Sequence, residues 1–514
     1  MTPAGALRSS FALAAGAATV FGFAPFGLAA LPIVTLSLLL LLWQGAASAR
    51  SAAAMGFAFG LGLFGAGVSW VFIALNTFGG MPLPFAVLAT AGFCAFLALY
   101  PAAAGWAAVR WSMPGSWQRA VAAAAAWTLA EWARSVVFTG FPWLSLGYAA
   151  LGEAGRSPLA GYAPVGGAFL VTLAIAAVAA ALALFVEALA AAARTRAALL
   201  LAAMAAVFAG GAALARVEWT APSGTPVAVS LVQGNVTQEL KFDPDFRRTT
   251  FDLYLRLVGT SRGRLVVLPE SAFPVFADEV PEGVLQRVRD TVAARDGDAL
   301  VGLFTVEPPL VPGGGLRYYN SVVSTGVNRS QLYRKRHLVP FGETIPLEPV
   351  VGWFIRSVLS IPLASQASGD PDPPALHVAG QRVAVNICYE DAFGAEIRRQ
   401  AGDATLLVNV TNDAWYGRSL AAYQHNQIAA MRALETGRPL LRATNTGVTS
   451  AFAHDGREIA RLPWFTRGVL EVEVTGREGT TPYVRWGDAV ANALALALFA
   501  TAILRSRRAG KHAA

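Results

Sequence analysis

Residues 381–391 read Gln-Arg-Val-Ala-Val-Asn-Ile-Cys388-Tyr-Glu-Asp. The run Val383 to Ile387 is apolar and rich in β-branched residues, which marks a buried strand. Its carboxyl end delivers a cysteine, and polar and charged residues follow at once. In α/β sheets reacting groups gather at the carboxyl ends of strands, so a thiol there is a candidate nucleophile. The alternative is a small buried hydrophobe, the common fate of a free cysteine. This stretch by itself leaves both open.

Working outward, the chain divides in two. Of its 514 residues 55% are hydrophobic and 14% charged, and the mean hydropathy is +0.48. That is too apolar for an ordinary soluble domain. Up to Arg216 the acidic residues are Glu131, Glu153 and Glu187, while the chain holds 32 in all. An isoelectric point near 9.8 invites a nucleic-acid reading. The arginines, however, sit at the ends of apolar runs, which fits membrane topology rather than a phosphate-binding face, and no nucleic-acid partner is expected. With two cysteines, Cys94 in an apolar run and Cys388, no structural disulfide is expected and Cys388 is expected to be a free thiol. With five scattered histidines they show no ligand spacing, so neither a metal nor a cofactor is expected.

Apolar segments recur at about 9–25, 28–43, 52–74, 83–107, 119–137, 164–189, 197–215 and 487–504. Each approaches the roughly 20 residues that span a bilayer. The first resembles a signal peptide behind Arg8, but it lacks a small-residue cleavage site and another apolar run follows directly. The expectation is a multi-domain membrane protein with eight transmembrane helices: residues 1–216 as a seven-helix membrane domain, 217–485 as an α/β domain, and 486–514 as the eighth helix with a basic tail. Arg8, Arg50, Arg110, Arg119, Arg194 and Arg196 fall on one side with Arg505, Arg507, Arg508 and Lys511. The positive-inside rule makes that side cytoplasmic, with both termini there and residues 217–485 outside. Glu131 and Arg134, three apart, share a helix face and can pair; a structural ion pair and a functional carboxylate are the two readings.

From about Pro226 the pattern turns to short β-rich runs at 227–234, 264–269, 299–306, 318–325, 382–388, 404–410, 440–444, 449–453 and 468–474. Helices are expected over 243–259, 282–295, 391–401 and 419–436, with a turn at Gly313-Gly-Gly315 between antiparallel strands. Glu270 ends the buried run Leu265-Val-Val-Leu-Pro269 much as Cys388 ends its own strand, and could serve as a general base. A helix-capping surface carboxylate is the plainer reading. Lys335 stands between Arg334 and Arg336, and of 40 Lys plus Arg only Lys241, Lys335 and Lys511 are lysine. A compact ammonium kept in so arginine-rich a chain suits an oxyanion or thiolate partner better than a planar fork does. A solvated basic patch is the alternative.

Together these residues resemble the nitrilase superfamily, whose Glu–Lys–Cys triad occurs in this chain order. Leu268-Pro-Glu270, Tyr333-Arg-Lys335 and Asn386-Ile-Cys388-Tyr-Glu390 match its three motifs. The membrane segments narrow the resemblance to the apolipoprotein N-acyltransferase family of bacterial envelopes. That resemblance extends over Glu131-Trp…Phe138-Thr-Gly-Phe-Pro-Trp143, Gln233-Gly-Asn235, His337-Leu-Val-Pro-Phe-Gly-Glu343, Asn409-Val-Thr-Asn-Asp-Ala-Trp415 and Arg432…Gly447. It implies an αββα nitrilase-like sandwich on a helix bundle in the bacterial inner membrane, with the catalytic domain periplasmic. It further implies a ping-pong transfer from a phospholipid to diacylated apolipoproteins. Glu270 would be the base, Cys388 the nucleophile and Lys335, with the Tyr389 N–H, the oxyanion holder; Glu343 would be a supporting carboxylate.

Substrate contacts are expected at Tyr389, Glu390, Phe341, Trp415, Phe242 and Trp353. Phe242 stands where some relatives have a functional tryptophan, and it lacks the indole N–H. Trp353 belongs to the apolar stretch 351–363, expected to be either a lipid-dipping arm or a core helix. A tethered amidase for a small amide or nitrile, and a lipoprotein-binding scaffold without catalysis, are the rival functions.

Overall fold

The computed structural model describes residues 3–152, 155–309, 315–345 and 365–513. The chain forms two compact units: Met1–Val71, Val87–Glu218 and Trp486–Ala514 make the first, Phe72–Ala86 and Trp219–Arg485 the second. Trp353 and the expected arm at 351–363 lie outside the described residues, as does most of the Gly313–Gly315 turn.

Helices stand at each predicted apolar run: Pro3–Thr19, Leu31–Gln44, Ala49–Gly67, Leu83–Arg110, Trp117–Val136, Ala163–Ala190, Arg194–Leu214 and Ala489–Ala513. Among the described residues, five stretches are long and apolar enough to cross a membrane: Ala49–Gly67, Leu83–Arg110, Pro158–Ala190, Arg194–Leu214 and Ala489–Ala509. The expected eight also counted two shorter helices and the more polar Trp117–Val136, which carries Arg119, Glu131 and Arg134. The first helix stops at Thr19 rather than near residue 25, passing into a 3-10 turn at Val20–Gly22 and extended backbone at Phe23. The third stops at Gly67, where Gly65 and Gly67 weaken helix formation.

The first unit is held by close backbone approach and by buried polar groups. A Cβ on Gly16 would lie 1.9 Å from the Phe59 carbonyl oxygen, and one on Gly62 would lie 2.0 Å from that of Leu13. Small residues at such a crossing let helix backbones meet where apolar burial gives little drive. The Glu131 carboxylate accepts from Trp127 Nε1 at 2.9 Å, Leu146 N at 3.1 Å and Thr172 Oγ1 at 2.9 Å. Arg134 donates to the carbonyls of Phe141 and Trp143 and to Ser145 Oγ. Both side chains therefore tie the 138–146 loop to one helix, which is structural work and satisfies otherwise orphaned backbone groups.

The second unit contains two six-stranded sheets. We number its strands β1 (Val227–Gln233), β2 (Leu265–Val267), β3 (Asp298–Glu307), β4 (Arg317–Gly326), β5 (Leu332–Arg334), β6 (Leu376–Val378), β7 (Gln381–Ile387), β8 (Leu406–Thr411), β9 (Leu440–Thr444), β10 (Ser450–Phe452), β11 (Glu458–Arg461) and β12 (Gly468–Val474). One sheet has the order β12-β1-β2-β3-β4-β5, the other β11-β10-β9-β8-β7-β6. The central pairs β1–β2, β2–β3, β7–β8 and β8–β9 are parallel, and the outer pairs are antiparallel. The sheets meet through β1 against β9 and β4 against β7. Helices Arg247–Thr260 and Val284–Ala293 cover the first sheet, and Gly394–Ala401 and Ala421–Thr436 cover the second. This is the αββα sandwich. Its strands read as continuous apolar runs because both faces are covered.

Phe72–Ala86, which the hydropathy pattern assigned to the helical region, packs with the second unit instead. A π-turn at Ala74–Phe78 brings the Phe78 ring edge-on to Trp415, with centroids 6.2 Å apart. Aromatic contact, not hydropathy, decides where this segment belongs.

Candidate active site

Three strand ends supply the chemistry. Glu270 follows β2 by three residues, Lys335 follows β5 directly, and Cys388 follows β7 directly. Cys388 opens a 3-10 turn, Cys388–Ala392, with φ at +53°, a conformation that costs a non-glycine residue strain. Glu270 is 7% exposed, Lys335 0% and Cys388 7%, so all three are largely withdrawn from water.

Lys335 Nζ donates to Glu343 Oε1 at 2.7 Å and lies 3.8 Å from Glu270 Oε1. Its main chain is pinned on both sides, N–H to the Asn320 carbonyl and C=O to the Gly369 N–H, each at 2.8 Å. Burial pulls the Lys335 ammonium down, but Glu343, Glu270 and Cys388 outweigh it and hold the group above its ordinary range. The other Glu343 oxygen accepts from Val339 N at 2.9 Å, which fixes that carboxylate in turn. Glu270 is aimed by Asn320, whose Nδ2 donates to Oε1 at 2.7 Å. Burial pushes the Cys388 thiol well up, Glu270 adds to that, and Lys335 opposes it. Burial therefore favours the thiol over the thiolate at Cys388. Gly302 on β3 lets Glu270 approach: a Cβ there would lie 2.3 Å from the Pro269 carbonyl oxygen and 3.0 Å from the Glu270 Cα.

Glu390 departs from the expectation of a substrate contact. One oxygen accepts from the N–H groups of Arg336 at 2.7 Å and His337 at 3.0 Å; the other accepts from Tyr333 Oη at 2.8 Å and Ile387 N at 2.6 Å. This buried carboxylate ties the residues flanking Lys335 to those flanking Cys388. Glu390→Gln puts an amide donor where only acceptors are wanted. It is expected to lower kcat by about tenfold or more, with KM unchanged. A rise in KM alone would instead mark a substrate contact.

Tyr389 is buried with its ring edge-on to Phe393 at 5.0 Å and beside His337 at 5.8 Å. Phe341, by contrast, is 47% exposed. Trp415 and Phe242 are half-buried, Phe242 against Phe304 at 6.4 Å. Of the expected substrate contacts, then, Phe341, Trp415 and Phe242 keep apolar surface to offer.

Beneath Cys388 lies a network that no sequence motif announces. His425 bonds Asp413 Oδ1 through Nδ1 and Asp391 Oδ1 through Nε2, both at 2.8 Å, and its Nε2 lies 3.3 Å from the Cys388 carbonyl oxygen. Arg442 donates to Asp391 at 3.0 Å, Asp413 at 3.1 Å and Asn409 Oδ1 at 2.6 Å. Asn320 and Lys241 were also missed. Lys241 carried the signal used for Lys335, being one of three lysines; Asn320 carried none.

A carboxylate, an ammonium and a thiol delivered by strand ends of a two-sheet αββα sandwich define a carbon–nitrogen-hydrolase-type site. Residues 228–483 match the Carbon-nitrogen hydrolase family model, and residues 15–181 match that of the Apolipoprotein N-acyltransferase N-terminal domain. The chain is 46% identical to the apolipoprotein N-acyltransferase of Nitrosomonas europaea over 95% of this chain and 96% of that one. It is 41% identical to the protein of that name from Methylococcus capsulatus, over 97% and 96% of the two chains. The same 41% is found with that of Chromobacterium violaceum, over 97% and 94%. The chain belongs to the apolipoprotein N-acyltransferase family.

Proposed function

We propose that this chain moves an acyl group from the sn-1 ester of a phospholipid, typically phosphatidylethanolamine, through a thioester on Cys388 to the α-amine of a diacylglyceryl-cysteine on an apolipoprotein. The observation that carries the reading is the Glu270–Lys335–Glu343 cluster beside a buried thiol. Glu270 takes the thiol proton as sulfur attacks the ester carbonyl. The tetrahedral oxyanion is held by the Lys335 ammonium and the Tyr389 N–H. The C–O bond breaks, the proton passes from Glu270 to the glyceryl oxygen, and lysophospholipid leaves. A neutral amine then attacks the thioester, the C–S bond breaks, and the amine proton returns to sulfur by way of Glu270. Glu343 keeps Lys335 in place throughout.

Both substrates carry acyl chains, and drawing one into water costs about 0.8 kcal/mol per methylene. Eight spans, with both termini cytoplasmic and the catalytic unit periplasmic, would hold the site at the outer leaflet of the inner membrane. Phe341, Trp415 and Phe242 would shield the acyl chain and keep water from the thioester. The tethered-amidase reading is not favoured, since the named relatives are acyltransferases over nearly their whole length. The test is incubation with phospholipid labelled in its sn-1 chain. A hydroxylamine-sensitive adduct is expected on the wild-type protein and none on Cys388→Ala; active protein that forms no adduct would overturn the thioester.

A further inference from the structure

Lys241 ends the short helix Gln238–Lys241 and is 3% exposed. Among the described residues its Nζ makes one hydrogen bond, donating at 2.9 Å to the main-chain carbonyl of Glu270. Its surroundings contrast with those of Lys335, which sits between the carboxylates of Glu343 and Glu270. A buried ammonium resting on a neutral carbonyl is costly unless anionic groups stand near it. The standing anionic group that acts on Lys241 is Glu270, and Cys388 adds to it only when its sulfur is a thiolate. Glu270 is thus held twice, its carboxylate by Asn320 and its main chain by Lys241.

We propose that Lys241 is a positioning residue for acyl transfer: as an ammonium it fixes the Glu270 main chain, and with it the aim of the carboxylate, and adds positive potential where thiolate and oxyanion form. This rests on Glu270 being the base for Cys388. Two cations of different kind then serve one site. Lys335, between carboxylates, keeps its charge at any working pH. Burial draws Lys241 down to about 8, further than Glu270 and Cys388 can raise it. Rising pH therefore discharges Lys241 first, weakens the hold on Glu270 and slows acylation of Cys388.

The test measures the rate of the Cys388 acyl adduct from labelled phospholipid between about pH 6 and 9.5, with melting followed in parallel. Wild-type protein is expected to slow as the pH passes about 8. Lys241→Arg, charged throughout, should stay within about tenfold of wild type at pH 7 and show its decline displaced upward. Lys241→Met should be slower by about tenfold or more at pH 7 and lack that decline. A Lys241→Met protein with the wild-type rate and profile would overturn the proposal. If Lys241→Met does not fold, Lys241→Arg decides alone, and an unmoved decline would overturn it. Glu270→Gln acylating at the wild-type rate would instead sink the reading of Glu270 as base, whatever Lys241 does.

Discussion

Lys335→Met is expected to slow formation of the Cys388 adduct by about a thousandfold, the effect of removing one well-placed oxyanion donor or somewhat more. Two consequences add to that loss. Lys335 opposes the upward push on the Cys388 thiol, so without it the proton is harder to remove. Glu270 and Glu343 would also face each other across a methionine, two largely buried carboxylates without the cation that separates them. Their mutual repulsion would disturb the aim of Glu270. Lys335→Arg should rescue little, because a planar fork cannot occupy the place of a compact ammonium 2.7 Å from Glu343. Quenched time courses with labelled phospholipid, at a temperature where melting shows the variant folded, read the effect directly. A rate within about tenfold of wild type would remove Lys335 from the chemistry.

The same three residues show how much of the site is legible in the sequence. Glu270 and Cys388 each end a continuous apolar run, and such runs are legible because both faces of each sheet are covered. Lys335 was found by rarity instead. The strand before it, Leu332–Arg334, is three residues long and shows no periodicity. Glu390 is engaged otherwise than its place in the sequence suggests, for a local reason. Adjacency to a nucleophile suggests a side chain facing substrate, but the 3-10 turn after Cys388 swings the carboxylate back onto Ile387 N and the residues beside Lys335. The Asp391–His425–Asp413–Arg442 network was invisible, since it joins residues up to 51 positions apart. The apolar helices are legible by apolar length, while the end of the third is displaced by the glycines at 65 and 67, which hydropathy averages over.

That network carries the second large effect, on stability and not on chemistry. Arg442→Met is expected to destabilise the protein by about 3–5 kcal/mol, the usual cost of leaving a buried charge without its partner. In a domain of this size that lowers the melting temperature by on the order of 10 °C. With Arg442 present, two carboxylates face one guanidinium and one imidazole, all at 2% exposure or less. The arrangement is neutral only if His425 is an imidazolium, and both its ring nitrogens meet carboxylates. Burial and Arg442 pull the His425 imidazolium down, yet Asp391 and Asp413 outweigh them and raise it above its ordinary range. A folded-state value above the unfolded one means that the stabilisation is complete in acid, below the ordinary range near 6.5, and is lost as the pH rises through the folded value. Removing Arg442 removes a repelling cation, so the His425 proton is held more tightly and the alkaline loss moves to higher pH. Melting of wild type and Arg442→Met at pH 6 and pH 9 separates the parts. The variant should melt lower at both, with a smaller fall between them than wild type shows. Equal falls would mean that His425 does not titrate with folding. Because the His425 ring also reaches the Cys388 carbonyl, the strained turn that presents the thiol rests on this charge balance. The turn that carries Cys388 is thus joined to the second sheet through these four side chains.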